Sequence, residues 1–423
     1  MEQRQEATRV SKEVMVCRGD AHGSVPSLGH TPSPAPTQPV TSLYVHVPFC
    51  GRKCGYCAFF SEAAGSELIQ RYVGVLVREL ELVADDLKPR TIFFGGGTPS
   101  LLTLRQWEQI FRKMERLNLL VAEEWTVECN PATVSLAKAK LLRAHGVNRL
   151  SLGVQSLNES MLHQLGRIHS RRQVFKSFDI LRQAGFDNIS LDLMFAIPRQ
   201  TLETWRDTLV EVLAMGSEHL SCYEVVYEED TPLFAQLHAG EFDVDEDLAC
   251  AMYEELIERA TGAGFHQYEV ANFAKDKPLK PRPSTHNLPS HACQHNVNYW
   301  RGGSFYGLGP SATSYVRGVR TKNWSNTQLY CDQLEKGKRA IESREELPPL
   351  GRAGEMAAFG LRMTTGWGFD EFQKITGYDL RADWSADMKQ MVKQGWGRIS
   401  AHRFQLTPQG LRFADAVAER FLR

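Results

Sequence analysis

The chain has 423 residues, 42% of them hydrophobic, enough to bury one large domain and a smaller one. Lys and Arg number 49 against 50 Asp and Glu, a formal charge of −1. That balance argues against a nucleic-acid partner and against an acidic tail. No apolar run reaches the roughly 18 residues of a membrane span. The leading residues lack the basic-then-apolar pattern of a secretory signal, and Glu2, Glu6, Glu13 and Asp20 argue against a transit peptide. A cytoplasmic location is the expectation. A peripheral membrane contact and the oligomeric state stay open.

In chain order, residues 1–40 are expected to be a disordered, Pro-rich extension. "VPSLGHTPSPAPTQP" holds five prolines and no apolar period that could order it. Ordered structure is expected from "TSLYVHV", a β-rich alternating run. Strand patterns recur at residues 91–96, 124–130, 147–155, 188–198 and 219–226. Amphipathic helical stretches lie between them, among them residues 67–87, 135–146 and 171–185. Two of these helices run into a glycine, the usual residue just past a helix C-terminus. Strand and helix in alternation predict an α/β protein with a parallel sheet, here a partial (β/α)6 barrel over residues 41–275. Functional groups would gather at the C-terminal strand ends.

Residues 276–346 form a Pro-, His- and Gly-rich connecting segment, expected to be irregular at first. From 347 to 423 the pattern predicts helices near 353–363, 370–374 and 384–394, a β pair in "GRISAHRFQLT", and a last helix over 408–422. That order suggests a small winged-helix-like α+β module. Its last helix carries Arg412, Arg420 and Arg423 but also Asp415 and Glu419, so a lid or a partner-docking surface fits it better than DNA.

Of nine cysteines, Cys17, Cys129, Cys222, Cys250, Cys293 and Cys331 are scattered, which is no secreted disulfide framework. The other three form "CGRKCGYC": Cys50, Cys54 and Cys57, spaced C-x3-C-x2-C. Structural zinc wants four ligands. A redox dithiol uses Cys54 and Cys57 and leaves Cys50 unexplained. An iron–sulfur cluster with three thiolates leaves one iron open, free to bind a small chelating molecule and pass it an electron. "FFGGGTPS" follows, three glycines at a strand end that let a ligand approach the backbone closely.

This arrangement resembles the radical-SAM superfamily. There the three cysteines hold a 4Fe-4S cluster that binds S-adenosylmethionine (SAM) and cleaves it reductively to a 5′-deoxyadenosyl radical. The closer similarity, over roughly residues 41–423, is to the oxygen-independent coproporphyrinogen oxidase branch. "YVHVPFC", "GGGTPSLL", "ECNP", "GVQS", "LGRIH", "LDLMFAIP" and "YGLGPSA" stand in the order that branch shows. The resemblance implies cluster ligation by Cys50, Cys54 and Cys57, with Tyr56 near the adenine and Tyr44 by the SAM carboxylate. It implies a SAM site lined by Gly96, Gly97, Thr98 and Glu128, with Gln155, Arg167 and Asp192 at strand ends facing the cavity. Their types suit a zwitterionic nucleoside, since Arg pairs a carboxylate and carboxylates accept from ribose or ammonium.

The branch divides, and Phe59 bears on the division. True dehydrogenases carry a further Cys at that place, whereas C-x3-C-x2-C-x-F is similar to the haem-chaperone members. "HNVNYW", residues 295–300, fits the H-N-x-x-Y-W motif of those members, and the leading residues show no obvious helical pattern of the dehydrogenase arm type. The resemblance implies a haem site at His295, Asn296, Tyr299 and Trp300. His is a standard axial ligand, and the two aromatics offer flat faces to a porphyrin. His286, His291, Cys293 and His295 also form an H-x4-H-x-C-x-H run, a zinc site by ligand type or an exposed polar loop. The function implied is haem binding beside a 4Fe-4S cluster with SAM, and transfer of haem to acceptor proteins of a respiratory chain. The alternatives are oxidative decarboxylation of coproporphyrinogen III and radical-SAM chemistry on another substrate.

Overall fold

In the computed structural model, residues 38–277 and 288–422 are described. The expectation for the Pro-rich extension, and His286, lie outside them. Strand β1 (Val40–Val47) leads into helix α1 (Ser66–Val83), β2 (Leu87–Gly96), α2 (Leu104–Arg116), β3 (Glu124–Cys129), α3 (Leu136–Ala144), β4 (Arg149–Gln155), α4 (Arg171–Gln183), β5 (Ile189–Phe195), α5 (Leu202–Ala214) and β6 (His219–Glu224). Helix α6 (Glu246–Gly262) and the short strands β7 (His266–Gln267) and β8 (Asn272–Ala274) complete this half. β1 to β6 pair in parallel and in sequence order, the (β/α)6 arrangement expected.

Local sequence explains the boundaries. Thr103 and Gln106 form a capping box that starts α2, and Ser170 and Gln173 do the same for α4. The helix expected to reach residue 87 stops at Val83, and Leu87 already opens β2. Pro89 lacks the N–H that a helix needs, and the residue before a proline is pushed toward extended backbone.

The segment expected to be irregular is more ordered than its composition suggested. It holds α7 (Gln294–Trp300), which carries the H-N-x-x-Y-W residues, and β9 (Tyr306–Leu308), which pairs in parallel with β1. β10 (Thr313–Val316), β11 (Val319–Asn323) and, after α8 (Thr327–Glu335), β12 (Ile341–Glu346) make a small antiparallel sheet. The main sheet therefore runs β7-β8-β6-β5-β4-β3-β2-β1-β9, an open barrel.

The C-terminal module builds its own core from Trp367, Phe372, Trp384, Phe404 and Phe421. Its elements are α9 (Pro349–Gly360), β13 (Trp367–Gly368), α10 (Phe369–Thr376), α11 (Ser385–Lys393), β14 (Gly397–Ile399), β15 (Arg403–Leu406) and α12 (Ala414–Phe421). The hairpin and the helix after it follow the winged-helix-like order. The single last helix expected over 408–422 breaks at Phe413, whose ψ of 27° leaves the helical range.

Both faces of the parallel strands are covered, but unequally. Leu43, Val45, Ile92, Phe94, Val127, Leu150 and Leu191 pack under the helices. Alternate residues turn inward and are largely polar. Ser42 bonds Thr91 at 2.8 Å, Arg149 reaches Thr126 at 3.5 Å, Ser151 donates to Asp192 at 2.7 Å, and Ser190 meets His219 at 2.9 Å. A barrel interior filled with hydrogen-bonding groups is a poor apolar core and a good place for a polar ligand.

Candidate cluster and cofactor site

The cysteine loop leaves the end of β1 and is pinned at several points. Phe49 is fully buried. The Cys50 amide donates to Glu62 O at 3.0 Å and the Glu62 amide to Pro48 O at 2.8 Å, closing the loop at its base. Gly55 donates to Leu165 O at 3.1 Å and accepts from the Leu233 amide at 2.9 Å. The glycine motif at the end of β2 forms the facing wall. Gly97 donates to Val47 O and Thr98 to Phe49 O, each at 2.8 Å. A methyl group on Gly97 would meet Val47 O at 2.7 Å, and Gly96 has a φ of +102° with the His46 ring beside it. Both positions require glycine for the loop to seat.

Cys50, Cys54 and Cys57 are all half-buried and unpaired. Cys50 Sγ lies 3.5 Å from Thr98 Oγ1, and Arg167 Nη1 lies 3.6 Å from Cys54 Sγ and 3.5 Å from Tyr56 OH. Burial pushes the Cys57 thiol up, and burial likewise raises Tyr56. Among the described residues no three His, Cys, Asp or Glu side chains converge on one point as a single-ion site needs. A 4Fe-4S cluster asks for something else, because each thiolate binds a different iron and the sulfurs stand apart. Three thiols on one pinned loop fit that donor set. Arg167 Nε, buried and without a hydrogen-bond partner, and Nη1 beside the thiols add a cationic group for an anionic ligand.

The strand ends complete the wall. Glu128 accepts the Gly96 amide at 3.1 Å. Burial, then the nearby Asp192 charge, push Glu128 up to about 8. Asp192 is itself raised by burial, though Ser151 and Ser190 donate to it at 2.7 and 2.8 Å. Gln155 ends β4 with φ +65°, and Arg167 Nη2 donates to Gly153 O at 2.8 Å. Strained backbone at strand ends is a common mark of a functional site. Tyr44 lies deeper. His46 Nε2 donates to Phe60 O at 2.8 Å, so Nδ1 must accept from Tyr44 OH at 3.0 Å. The fold thus gathers the cysteines, Tyr56, Gly96, Gly97, Thr98, Glu128, Arg167 and Asp192 around one end of the barrel, with Gln155 at the rim and Tyr44 below.

The H-N-x-x-Y-W residues are elsewhere. His295 is 1% exposed, with Nδ1 3.0 Å from Thr91 Oγ1 and Nε2 2.8 Å from Tyr299 OH. Burial, then the Arg149 charge, lower it to about 3, so the ring is neutral. Both ring nitrogens of His295 are thus engaged inside the protein. Tyr299 packs edge-on with Phe305, and Trp300 lies under the Arg362 guanidinium with Phe359 of the C-terminal module 6.4 Å away. Asn296 is half-buried on the same helix. The zinc alternative does not assemble among the described residues. Cys293 Sγ donates to Glu124 at 3.5 Å, and His291 lies apart on the Lys275 backbone.

Sequence reasoning missed three things. Arg149 is a buried cation inside the barrel, and Glu124 is the anchor of α7. A cavity of about 350 Å³ opens at the ends of β5 and β6, lined by Ile197, Arg199, Glu224, Tyr227, Phe242 and Asp245 among others. Its apolar wall continues through Ile197 and Val225 to Tyr56. In "AIPRQT" Ala196 and Arg199 both adopt positive φ, a strain their residue types do not announce.

An open six-unit parallel barrel with a three-cysteine loop after its first strand defines the radical-SAM class. The Radical SAM superfamily model matches residues 44–212, and the HemN C-terminal domain model matches residues 347–413. The chain is 32% identical to Heme chaperone HemW of Lactococcus lactis over 91% of its length and 98% of that protein. It is 35% identical to mouse radical S-adenosyl methionine domain-containing protein 1, mitochondrial, over 93% of this chain and 90% of that one. Coproporphyrinogen III oxidase (HemN) of Escherichia coli superposes with a TM-score of 0.75 at 22% identity, covering 91% of this chain and 90% of that one, which shows a shared fold. The chain belongs to the HemW family of radical-SAM proteins. That membership implies a 4Fe-4S cluster and SAM.

Proposed function

We propose that this protein is a haem chaperone that binds haem, holds a 4Fe-4S cluster with SAM, and hands haem to acceptor proteins, those of a respiratory chain among them. Cys50, Cys54 and Cys57 would hold the cluster. Gly96, Gly97, Thr98, Glu128, Gln155, Arg167 and Asp192 would bind SAM, with Tyr56 and the cavity beside it receiving the nucleoside. When bound, the cluster would supply an electron to SAM. The protein's part is to hold the methionine zwitterion between the Arg167 cation and the Glu128 and Asp192 carboxyls. The core over 41–275, the connecting segment over 276–346 and the module from 347 belong to the same reading.

The observation that carries it is Phe59, 71% exposed beside the cysteine loop where a dehydrogenase would bring a fourth thiol. The near full-length similarity to HemW proteins supports the same side. A haem titration of the reconstituted protein tests it, and a Soret band that does not change on mixing would sink it. An anaerobic assay with SAM, reductant and coproporphyrinogen III separates the alternative, since protoporphyrinogen in the mass spectrum would replace the chaperone by a dehydrogenase.

The compartment read from the acidic leading residues is the cytoplasm. No helix among the described residues is long and apolar enough to cross a membrane. The zebrafish and mouse relatives are named mitochondrial. Imaging of the C-terminally tagged chain decides between the two.

A further inference from the structure

Helix α7 joins two parts of the molecule that are far apart in sequence. At its start, Glu124 of β3 accepts the amides of Gln294 at 2.9 Å and His295 at 3.0 Å. The His295 ring then lies flat against Phe93 of β2, centroids 5.2 Å apart, and 6.5 Å from the ring of Tyr44. Phe93 and Tyr44 are themselves 6.2 Å apart, so the three rings form one cluster on the inward face of β1 and β2. At the other end, Arg301 donates to Gly366 O at 2.9 Å and Thr365 Oγ1 at 2.8 Å, and its guanidinium lies over Trp367. The helix closes the barrel floor and grips the C-terminal module.

We propose that His295 is a positioning residue: it fixes Phe93 and Tyr44 from below, and through the Tyr44–His46–Phe60 hydrogen bonds it fixes the cysteine loop. The chain of contacts is continuous. Thr91 Oγ1 and Tyr299 OH hold the imidazole from either side, and the imidazole supports Phe93 and the ring of Tyr44. Tyr44 OH donates to His46, and His46 donates to Phe60 O, three residues past Cys57. A neutral imidazole suits this place, because it offers one donor and one acceptor to two hydroxyls and costs no buried charge. The family motif thereby reads as the support of the cluster end of the barrel, and its histidine as a group that acts without touching a ligand.

The inference rests on the reading of the cysteine loop as the cluster and SAM site. Its test uses the full reconstituted chain, as wild type and with His295→Gln or Thr91→Val. SAM is titrated while the electron paramagnetic resonance of the reduced cluster is followed, and haem is titrated separately with its ligand-sensitive spectrum recorded. In both variants the SAM midpoint is expected to rise about fivefold, the scale of one lost hydrogen bond or aromatic contact. The spectrum of bound haem is expected to stay that of the wild type. Loss of a nitrogen ligand from the haem of His295→Gln, with the SAM midpoint unmoved, would overturn the proposal. If His295→Gln does not fold, Thr91→Val carries the test with the imidazole still present, and an unmoved midpoint there overturns it equally. If the wild type binds no haem, the chaperone reading fails on its own and the SAM midpoint still decides the role of His295. Cys50→Ser serves as the control for the cluster reading, which fails separately if its resonance survives.

Discussion

The Glu128 carboxylate accepts the backbone N–H of Gly96 at 3.1 Å, tying the end of β3 to the glycine turn that faces the cysteine loop. The same carboxyl is buried beside Asp192 and stands at about 8 instead of 4.5. It is therefore mostly protonated at neutral pH and ionises most readily when a cation arrives. SAM binding should strengthen between pH 6 and pH 8 in the wild type, as the carboxylate fraction grows. Glu128→Gln keeps the shape and the bond to Gly96 but removes the charge. The variant should fold, retain the iron–sulfur absorbance, bind SAM about tenfold more weakly, and lose the pH dependence. An unchanged pH profile in the variant would remove Glu128 from the site.

The same shift has a consequence for stability. A carboxyl raised in the folded state makes the folded protein bind more protons than the unfolded chain between the two values. The stability it contributes is fully present below pH 4.5 and is lost as pH rises through about 8. Thermal unfolding of the cluster-free wild type should show this decline, and Glu128→Gln should flatten it. A steeper decline in the variant would contradict the assignment.

Arg167 joins three parts of the site: Cys54 and Tyr56 of the loop, and Gly153 O at the end of β4. Its charge beside a thiolate favours the reduced, more negative state of a bound cluster. Arg167→Gln should therefore make the cluster harder to reduce and weaken SAM binding about tenfold. Redox titration of the reconstituted variant checks the direction. A potential at or above the wild-type value would show that the guanidinium does not act on the cluster.

Much of this site was legible because its chemistry sits at strand ends, and strand ends are visible in local sequence. The run "FFGGG" marks both a buried strand and its stop, and Glu128 and Gln155 fall at or near the end of a strand, while Asp192 stands out as the one charge in the middle of the apolar run of β5. The floor of the barrel was not legible. β9 is three residues long and joins β1 across more than 250 positions, a pairing that no local period encodes. The anchoring of His295 was not legible either, because its partners Thr91 and Glu124 lie about 200 and 170 residues away. The helix boundary at Val83 was misjudged for a local reason, because the apolar period of α1 runs on into β2 and only Pro89 signals the change.

A final prediction concerns what holds the edge of the barrel. Glu79 of α1 is 6% exposed and accepts three hydrogen bonds: from Tyr330 OH at 2.6 Å, Asn323 Nδ2 at 2.7 Å and the Gly309 amide at 2.8 Å. Those donors come from α8, β11 and the turn after β9, so one carboxyl ties the connecting segment to the first helix. Burial raises its pKa, and the three donors offset part of that. Glu79→Ala would leave Tyr330 OH and the Gly309 amide buried without this acceptor, at about 1–3 kcal/mol each before any relaxation, while Asn323 Nδ2 keeps Gly309 O at 3.0 Å. Even with water entering the space, a loss of about 3 kcal/mol or more is expected, read as a lower denaturant midpoint. Glu79→Gln can still accept from two donors and should lose less. β9 lies beside β1, and β1 ends in the cysteine loop, so Glu79→Ala should also reduce cluster retention during gel filtration. Full retention at wild-type stability would mean that the segment is held to the barrel by packing alone.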